Sequence, residues 1–545
     1  MKTNVSLCIA AALMVVACGD PSHRHNSGEK VSVINSTPDE VIEEDVEITS
    51  NEAALMEPSA NATSKMILSS PPQQRNAETY KEIKENSFVA VAQQPVTTFS
   101  ADVDRAAYAN VRRIIGYGQI PPKDAVRIEE MVNYFDYDYP APEEGSASPL
   151  RVSPELAPAP WNPNHLLLRI GLQAKKIDLA KAPPSNIVFL IDVSGSMDEE
   201  NKLPLLKSSF KMLLGQLRPD DKIAIVTYAN GTKVALPSTS VKDKEKIIKV
   251  LDNLYASGGT SGGRGIQLAY EQAQKSFIKN GNNRIILATD GDFNIGINNT
   301  TDLEKFIEKQ RESGIYMSVL GFGIGNYRDD MAETIADKGN GNYAYIDNIT
   351  EAKKVLVNEL SGTLFAVAKD VKLQLEFNPK YVKEYKLIGY ENRMLANEDF
   401  TNDKKDAGEI GAGHTVTALY ELVPSDGKVA QSLRYQSQEL NEKGKGNELG
   451  FLKIRYKDPK VKDAKSVEIT EPLVFNKKAL KETSTDYRFA ASVAEFGILL
   501  RDNSNKANAT YDQVIELAEG AIGKDPEGYR KEFVRLVKSV KMLPK

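Results

Sequence analysis

The sequence predicts an α/β protein centred on a doubly wound, mostly parallel sheet, and three patterns predict it. Four apolar runs, NIVFLID (186–192), KIAIVTY (222–228), RIILATD (284–290) and IYMSVLGF (315–322), read as strands buried on both faces. Between them Leu203, Leu206, Phe210, Leu213 and Leu217 recur at helical spacing, as do Ile247, Leu251 and Leu254. Strand and helix in alternation imply parallel pairing with helices on both sheet faces. On either side of this stretch, which runs from 183 to 365, the pattern is different.

Residues 96–182 read as a small α+β module. DVDRAAYANVRRIIGYG predicts a helix capped by Asp102 or Asp104, and a second helix follows Pro121-Pro122 with Val126, Met131 and Phe135 as buried positions. LLLRIGLQ (166–173) then reads as a strand. Residues 366–545 read as a β-rich module that ends in helices. There Val371, Leu373, Leu375 and Phe377 alternate, as do Val416, Ala418, Tyr420 and Leu422, and again Leu452, Ile454 and Tyr456. Period-two alternation predicts antiparallel strands with one face in water. Phe489, Val493, Phe496 and Leu500, and later Tyr529, Phe533, Leu536 and Val540, mark the closing helices.

The N-terminus has a different character. Lys2 precedes a short apolar stretch at 4–17, too short for a comfortable transmembrane span, so residues 1–17 read as a signal peptide. The sequence Val15-Val16-Ala17-Cys18-Gly19 resembles the bacterial lipobox, which implies an acylated Cys18, a membrane anchor and a location at the bacterial cell envelope. Residues 18–95 are rich in Ser, Asn, Pro, Glu and Gln and poor in aromatics, the composition of a disordered tether. Cys8 and Cys18 are the only cysteines among 545 residues, which excludes a disulfide framework or a cysteine metal site in the folded part. A net charge of -6, from 69 Lys and Arg against 75 Asp and Glu, gives no electrostatic reason to expect a nucleic acid partner.

The chemistry gathers at strand ends. The first central strand runs into Asp192-Val193-Ser194-Gly195-Ser196, a D-x-S-x-S turn; the loop SGGTSGGRG (257–265) presents Thr260; a third segment delivers Asp290. Ligands bind at such carboxyl ends in open α/β sheets. Singly, the aspartates read as helix caps and the serines as turn residues; together they supply two carboxylates and three hydroxyls to one sheet edge. An all-oxygen set suits a hard divalent cation, Mg²⁺ first, with Mn²⁺ or Ca²⁺ as substitutes. Gly195 would let the turn pack tightly and Gly258-Gly259 would let backbone approach the ion. Asp198 and Asp292 lie near these segments as solvated or outer groups.

These segments resemble the von Willebrand factor A (VWA) family, whose metal-ion-dependent adhesion site has this residue pattern. The resemblance implies a Rossmann-like VWA domain, with Asp192, Ser194, Ser196, Thr260 and Asp290 around the metal and an open position for a partner protein's acidic side chain. The whole order of lipobox, tether, FSADVDRAAYANVRRII module, VWA domain and β-rich module is similar to a bacterial family of VWA lipoproteins. Enzymatic readings find little support. No Lys-Ser or Lys-Thr follows the glycine loop, which excludes a Walker site. His165 and His414, the folded region's only histidines, sit in no hydrolase motif, and one cation with hydroxyl ligands generates hydroxide poorly. The expectation is a non-enzyme that mediates metal-dependent protein contacts; the alternatives are a structural envelope protein with a fold-stabilising metal and, further off, a metal-dependent hydrolase.

Overall fold

Segments far apart in the chain share sheets on both sides of a central α/β unit. The structure is a computed structural model. It describes residues 78–544 apart from 102–103, 260–262, 292–299, 427–445, 462–463 and 503–505. Cys8, Cys18, residues 18–77 of the expected tether, Asp102, Thr260 and Asp292 lie outside the described residues, but residues 78–95 are not a tether: Ile83 and Val91 are buried there and Glu78 pairs with Arg113.

The described chain enters with short strands β1 (Val89–Ala90) and β2 (Val96–Ser100), helices α1 (Ala106–Gly116) and α2 (Ile128–Asn133), and a hairpin of β3 (Leu150–Ala159) and β4 (Asn162–Ala174). The residues expected to be buried around the second helix are so: Val126, Met131 and Phe135 all lie in the core. Asp104 does not cap α1. It accepts the Tyr343 N–H at 2.9 Å and faces Arg393 at 3.4 Å, so a tertiary contact has replaced the local one.

The central unit contains β5 (Ser185–Asp192), α3 (Leu203–Gln216), β6 (Lys222–Tyr228), β7 (Thr232–Ser240), α4 (Lys244–Asp252), α5 (Gly263–Lys275), β8 (Asn282–Thr289), α6 (Thr300–Arg311), β9 (Ile315–Gly321), α7 (Asp329–Lys338) and β10 (Tyr343–Tyr345). Its sheet runs β10-β9-β8-β5-β6-β7, parallel except for β7. All eight residues of β5 are buried, as a strand covered on both faces requires. One apolar cluster joins α3 and α4 to one face; another joins α1, α5, α6 and α7 to the other. The pattern did not announce β7, whose sequence TKVALPSTS mixes polar residues with Pro237. An edge strand tolerates both.

The chain leaves through α8 (Ile349–Lys353), a π-helical turn and α9 (Leu360–Leu364) directly into β11 (Ala366–Phe377). There follow β12 (Val382–Ile388), β13 (Gly408–Gly411), β14 (Thr415–Pro424), β15 (Glu448–Lys457), β16 (Val467–Val474), and helices α10 (Thr485–Leu500), α11 (Tyr511–Glu519) and α12 (Tyr529–Met542). One antiparallel sheet has the order β1-β12-β14-β4-β3 and the other β13-β11-β15-β16, with β2 also paired to β11. A division at 96–182 and 366–545 therefore cuts through both sheets: β4 pairs with β14, and Phe99 lies opposite Leu373. The two sheets pack face to face through Leu168, Ile170, Leu373, Leu375, Val416 and Leu452.

The expectation of one wet face fails for β14, whose first eight residues are all buried. Its outer face is covered by α2 and the closing helices, where Tyr134, Phe135, Leu419, Phe489 and Phe533 share a core. Thr417 is tolerated on that covered face because its hydroxyl bonds the Tyr139 hydroxyl at 2.8 Å, while its N–H donates to Asn133 Oδ1 at 2.7 Å and its carbonyl accepts from Asn133 Nδ2 at 3.2 Å.

Polar clamps join the parts. Arg127 donates to both oxygens of Asp329, at 2.5 and 3.3 Å, and also pairs with Glu130. Asp329 Oδ1 further accepts from Asn110 at 3.1 Å and Tyr343 at 2.7 Å. Replacing Arg127 with Met would leave two buried carboxylates without their cation, so we expect a loss of about 3–5 kcal/mol in urea denaturation. A loss below about 1 kcal/mol would show that the clamp is redundant.

Glu495 in α10 gives a pH signature. It is fully buried and neither carboxylate oxygen has a hydrogen-bond partner among the described residues. Burial pushes its carboxyl up to about 8 from 4.5, and the Thr510 backbone N–H, near the carboxyl but outside hydrogen-bond geometry, opposes this only in part. Between those values the folded state holds a proton that the unfolded chain has lost, so the Glu495 contribution to stability falls as pH rises from 4.5 to about 8. Glu495→Gln should remove that slope and stabilise the protein by about 1–3 kcal/mol at pH 8. Denaturation midpoints at pH 5 and pH 8 measure it.

Candidate metal centre

The D-x-S-x-S turn is built by the strand that precedes it. β5 carries Asp192 to the carboxyl edge of the sheet and leaves it fully buried, and there Asp192 Oδ1 accepts the Ser194 N–H at 2.8 Å. A short 3₁₀ turn over Gly195–Asp198 follows, anchored by buried Met197. The Ser194 and Ser196 hydroxyls lie 3.1 Å apart. Ser194 is buried and Ser196 exposed, so the cluster opens to solvent on the Ser196 side; Asp198 is exposed.

Backbone bonds fasten the next loop to this turn. Ser257 N donates to Val193 O at 2.8 Å and Gly195 N to Gly258 O at 2.8 Å. The loop that leads into Thr260 therefore runs alongside Ser194, although Thr260 itself lies outside the described residues. A side chain on Gly195 would crowd Gly258 O at 3.3 Å, which accounts for that glycine. Gly258 has another reason than close approach to an ion. Its φ is +77° and a Cβ there would lie 2.2 Å from Asn230 Nδ2, while Asn230 Oδ1 accepts the Gly259 N–H at 2.5 Å.

Asp290 follows β8 and is buried. Lys202, which the sequence pattern did not single out, lies between the segments. Its Nζ donates to Ser196 O at 2.8 Å and to Asp290 Oδ2 at 3.3 Å, and the residue is only 3 % exposed. Gly323 lies against its aliphatic stem. Six positions beyond Ser196, inside the polar run DEENK, a lysine carries no pattern that marks it as buried.

The structure thus brings Asp192, Ser194 and Ser196 into one turn, with Asp290 joined to it through Lys202. The second Asp192 oxygen, Oδ2, is buried and has no hydrogen-bond partner among the described residues. Burial pushes the Asp192 carboxyl up to about 6; the Ser194 hydroxyl and N–H pull it back, the Asp290 charge raises it again and the Tyr228 hydroxyl opposes that. An orphaned carboxylate oxygen beside two hydroxyls and a second carboxylate is a donor set that fits a hard divalent cation. Among the described residues no group of three or more His, Cys, Asp and Glu side chains gathers as a metal cluster. The histidines stand apart: His165 bonds Glu421 at 2.6 Å, and His414 packs its ring against Gly362.

Comparison with known proteins agrees with this architecture. The von Willebrand factor type A domain model matches residues 186–358, a model described as von Willebrand factor matches 74–169, and the YfbK C-terminal model matches 362–543. The uncharacterized protein YfbK of Escherichia coli (strain K12) is 48 % identical over 465 residues, covering 84 % of this chain and 80 % of the relative. This chain belongs to the YfbK family. The uncharacterized protein sll0103 of Synechocystis sp. is 26 % identical over 326 residues, 60 % of this chain and 74 % of that protein. The solved von Willebrand factor type A structure from Catenulispora acidiphila covers 71 % of this chain and 89 % of its own, at 16 % identity and a TM-score of 0.39. Residues 186–358 thus form a VWA domain, a type that points to protein–protein interaction, flanked by regions shared with YfbK.

The orphaned Asp192 oxygen leads to a stability test in chelator. A buried charge without a full set of partners is unfavourable, and Asn keeps the acceptor for the Ser194 N–H. Asp192→Asn should stabilise the metal-free protein by about 1–2 kcal/mol in denaturant titrations. A destabilised variant would mean that the protein alone already satisfies both oxygens.

Proposed function

We propose that this chain is a lipid-anchored protein of the bacterial envelope that binds a partner protein through a divalent cation held by its VWA domain. The unpartnered, buried Asp192 Oδ2 is the observation that carries the reading. Asp192, Ser194, Ser196, Thr260 and Asp290 would hold the cation, Mg²⁺ first, with Mn²⁺ or Ca²⁺ able to replace it. When bound, the cation supplies positive charge and an open coordination position for an acidic side chain of the partner. The residues of this chain do the rest. Asp192 supplies charge from a site closed to water on the sheet side, and exposed Ser196 marks the side by which a partner enters. Lys202 offsets the charge of Asp290, so that the cluster with its cation stays net positive towards an anionic partner. No nucleic acid partner and no enzymatic step belong to this reading.

Cys18, as the acylated first residue of the mature chain, would hold the protein at a membrane, and residues 19–77, ahead of the packed segment that carries β1, would give the folded part reach. Among the described residues no helix is long and apolar enough to cross a membrane, and anchoring through Cys18 requires none.

Capture from solubilised envelope tests both halves. Wild-type bait should recover partners in Mg²⁺ and lose them in chelator, and Asp290→Asn and Thr260→Ala baits should retain under a tenth of the yield while melting cooperatively. Mass spectrometry of the mature protein should find acyl chains on Cys18, and Cys18→Ala should move it to the soluble fraction. Equal recovery by all baits in chelator would favour the structural alternative, in which the cation serves only the fold.

A further inference from the structure

The opposite edge of the central sheet carries a second polar feature. Parallel strands β8 and β9 begin there, so Arg284 and Tyr316, near their starts, lie about 20 Å along the sheet from Asp290. A cleft of about 270 Å³ opens between the turn before β10 and the segment 405–409 that leads into β13. It adjoins an inner chamber of about 20 Å³ lined by Arg284, Tyr316 and Lys369; Gly341, Asn342 and Glu409 line both spaces.

Arg284 is the anomaly. Six arginines are buried among the described residues, and five of them, Arg105, Arg127, Arg169, Arg501 and Arg530, pair with carboxylates. Arg284, 3 % exposed, forms no ion pair there. Its Nη1 donates to Ser318 Oγ at 2.6 Å, its guanidinium carbon lies 5.8 Å from the Tyr316 ring centre, and its Nε has no partner among the described residues. Glu409 does not fill the gap. One of its oxygens is buried without a partner, and burial, with the charges of Asp406 and Asp370, holds its carboxyl well above the ordinary range. Among the described residues no ion pair or hydrogen bond joins it to Arg284. Lys369, whose Nζ lies 3.4 Å from the Tyr316 hydroxyl, adds a second cation to the chamber.

A buried guanidinium without an anion is costly, and its planar fork matches a carboxylate. We propose that this cleft binds a small organic carboxylate, with its charged head against Arg284 and its body in the outer space. The inner chamber has room for one oxygen about the size of a water molecule, so the head would reach Arg284 through one carboxylate oxygen while the rest of it stays in the outer cleft. The outer cleft is the size of a metabolite and too small for a folded partner. The site is independent of the metal centre and of the reading given for it.

Saturation-transfer NMR on the whole chain, with acetate and succinate as probes at constant ionic strength, tests this. Both probes should receive saturation from the protein, and excess succinate should displace acetate. Arg284→Met should reduce the transfer at least tenfold. Because Arg284→Met removes a buried side chain, Ala407→Phe serves as a second variant that fills the outer cleft and leaves Arg284 in place; it should reduce the succinate signal to the same degree. Two results would overturn the proposal: transfer that persists in both variants, or displacement of acetate by stoichiometric chloride, which would make the site one for a monatomic anion.

Discussion

Asp329 is a fully buried carboxylate at the start of α7, and it holds the flanking helices to the VWA domain. It takes hydrogen bonds from Arg127 ahead of α2, from Asn110 in α1 and from Tyr343 in β10. A charge in that position is stable only while every one of those donors is in place. The same condition fixes the position of α1, which then presents Arg112 to Asp347, Glu351 and Glu532. Through Glu532 that network reaches α12, close to the C-terminus. Apolar packing would hold these helices near the sheet, but it is non-directional and would permit several registers. The buried ion pairs allow one register.

The metal centre follows a different rule. Where Asp329 is saturated with donors, Asp192 keeps an oxygen without a partner beside a solvent opening. A protein under pressure only for stability would satisfy that oxygen or remove it. Lys202 shows how finely the surroundings are set, since it neutralises Asp290 and leaves Asp192 alone.

Much of this was legible in the sequence, for identifiable reasons. β5, β6, β8 and β9 are nearly continuous apolar runs, short and rich in β-branched residues, as strands buried on both faces are. The Asp192 turn was legible because its residues are close together and their types are chemically specific. Thr417, Glu421 and Arg169 were not: each reads as solvent-facing, and each is buried against a polar partner on another element, Asn133, Lys386 or, across the β3–β4 hairpin, Glu155. Lys202 and Arg284 were hidden for the same reason. A charged residue carries no local mark of burial; the mark lies in what surrounds it.

The sharing of strands between the two flanks also fixes a sequence of events in time. β2 has its partner in β11, and the free edge of β4 waits for β14, about 250 residues later. At ribosomal rates that interval is about 10–50 s. Through it the VWA domain, whose sheet closes within residues 185–345, can complete itself while the β3–β4 hairpin still exposes an open edge. The sandwich is therefore assembled around a finished centre. A chain interrupted between about residue 360 and residue 415 would keep its VWA domain and leave a sticky, unpaired hairpin, a target for quality-control proteases in place of a partly working protein.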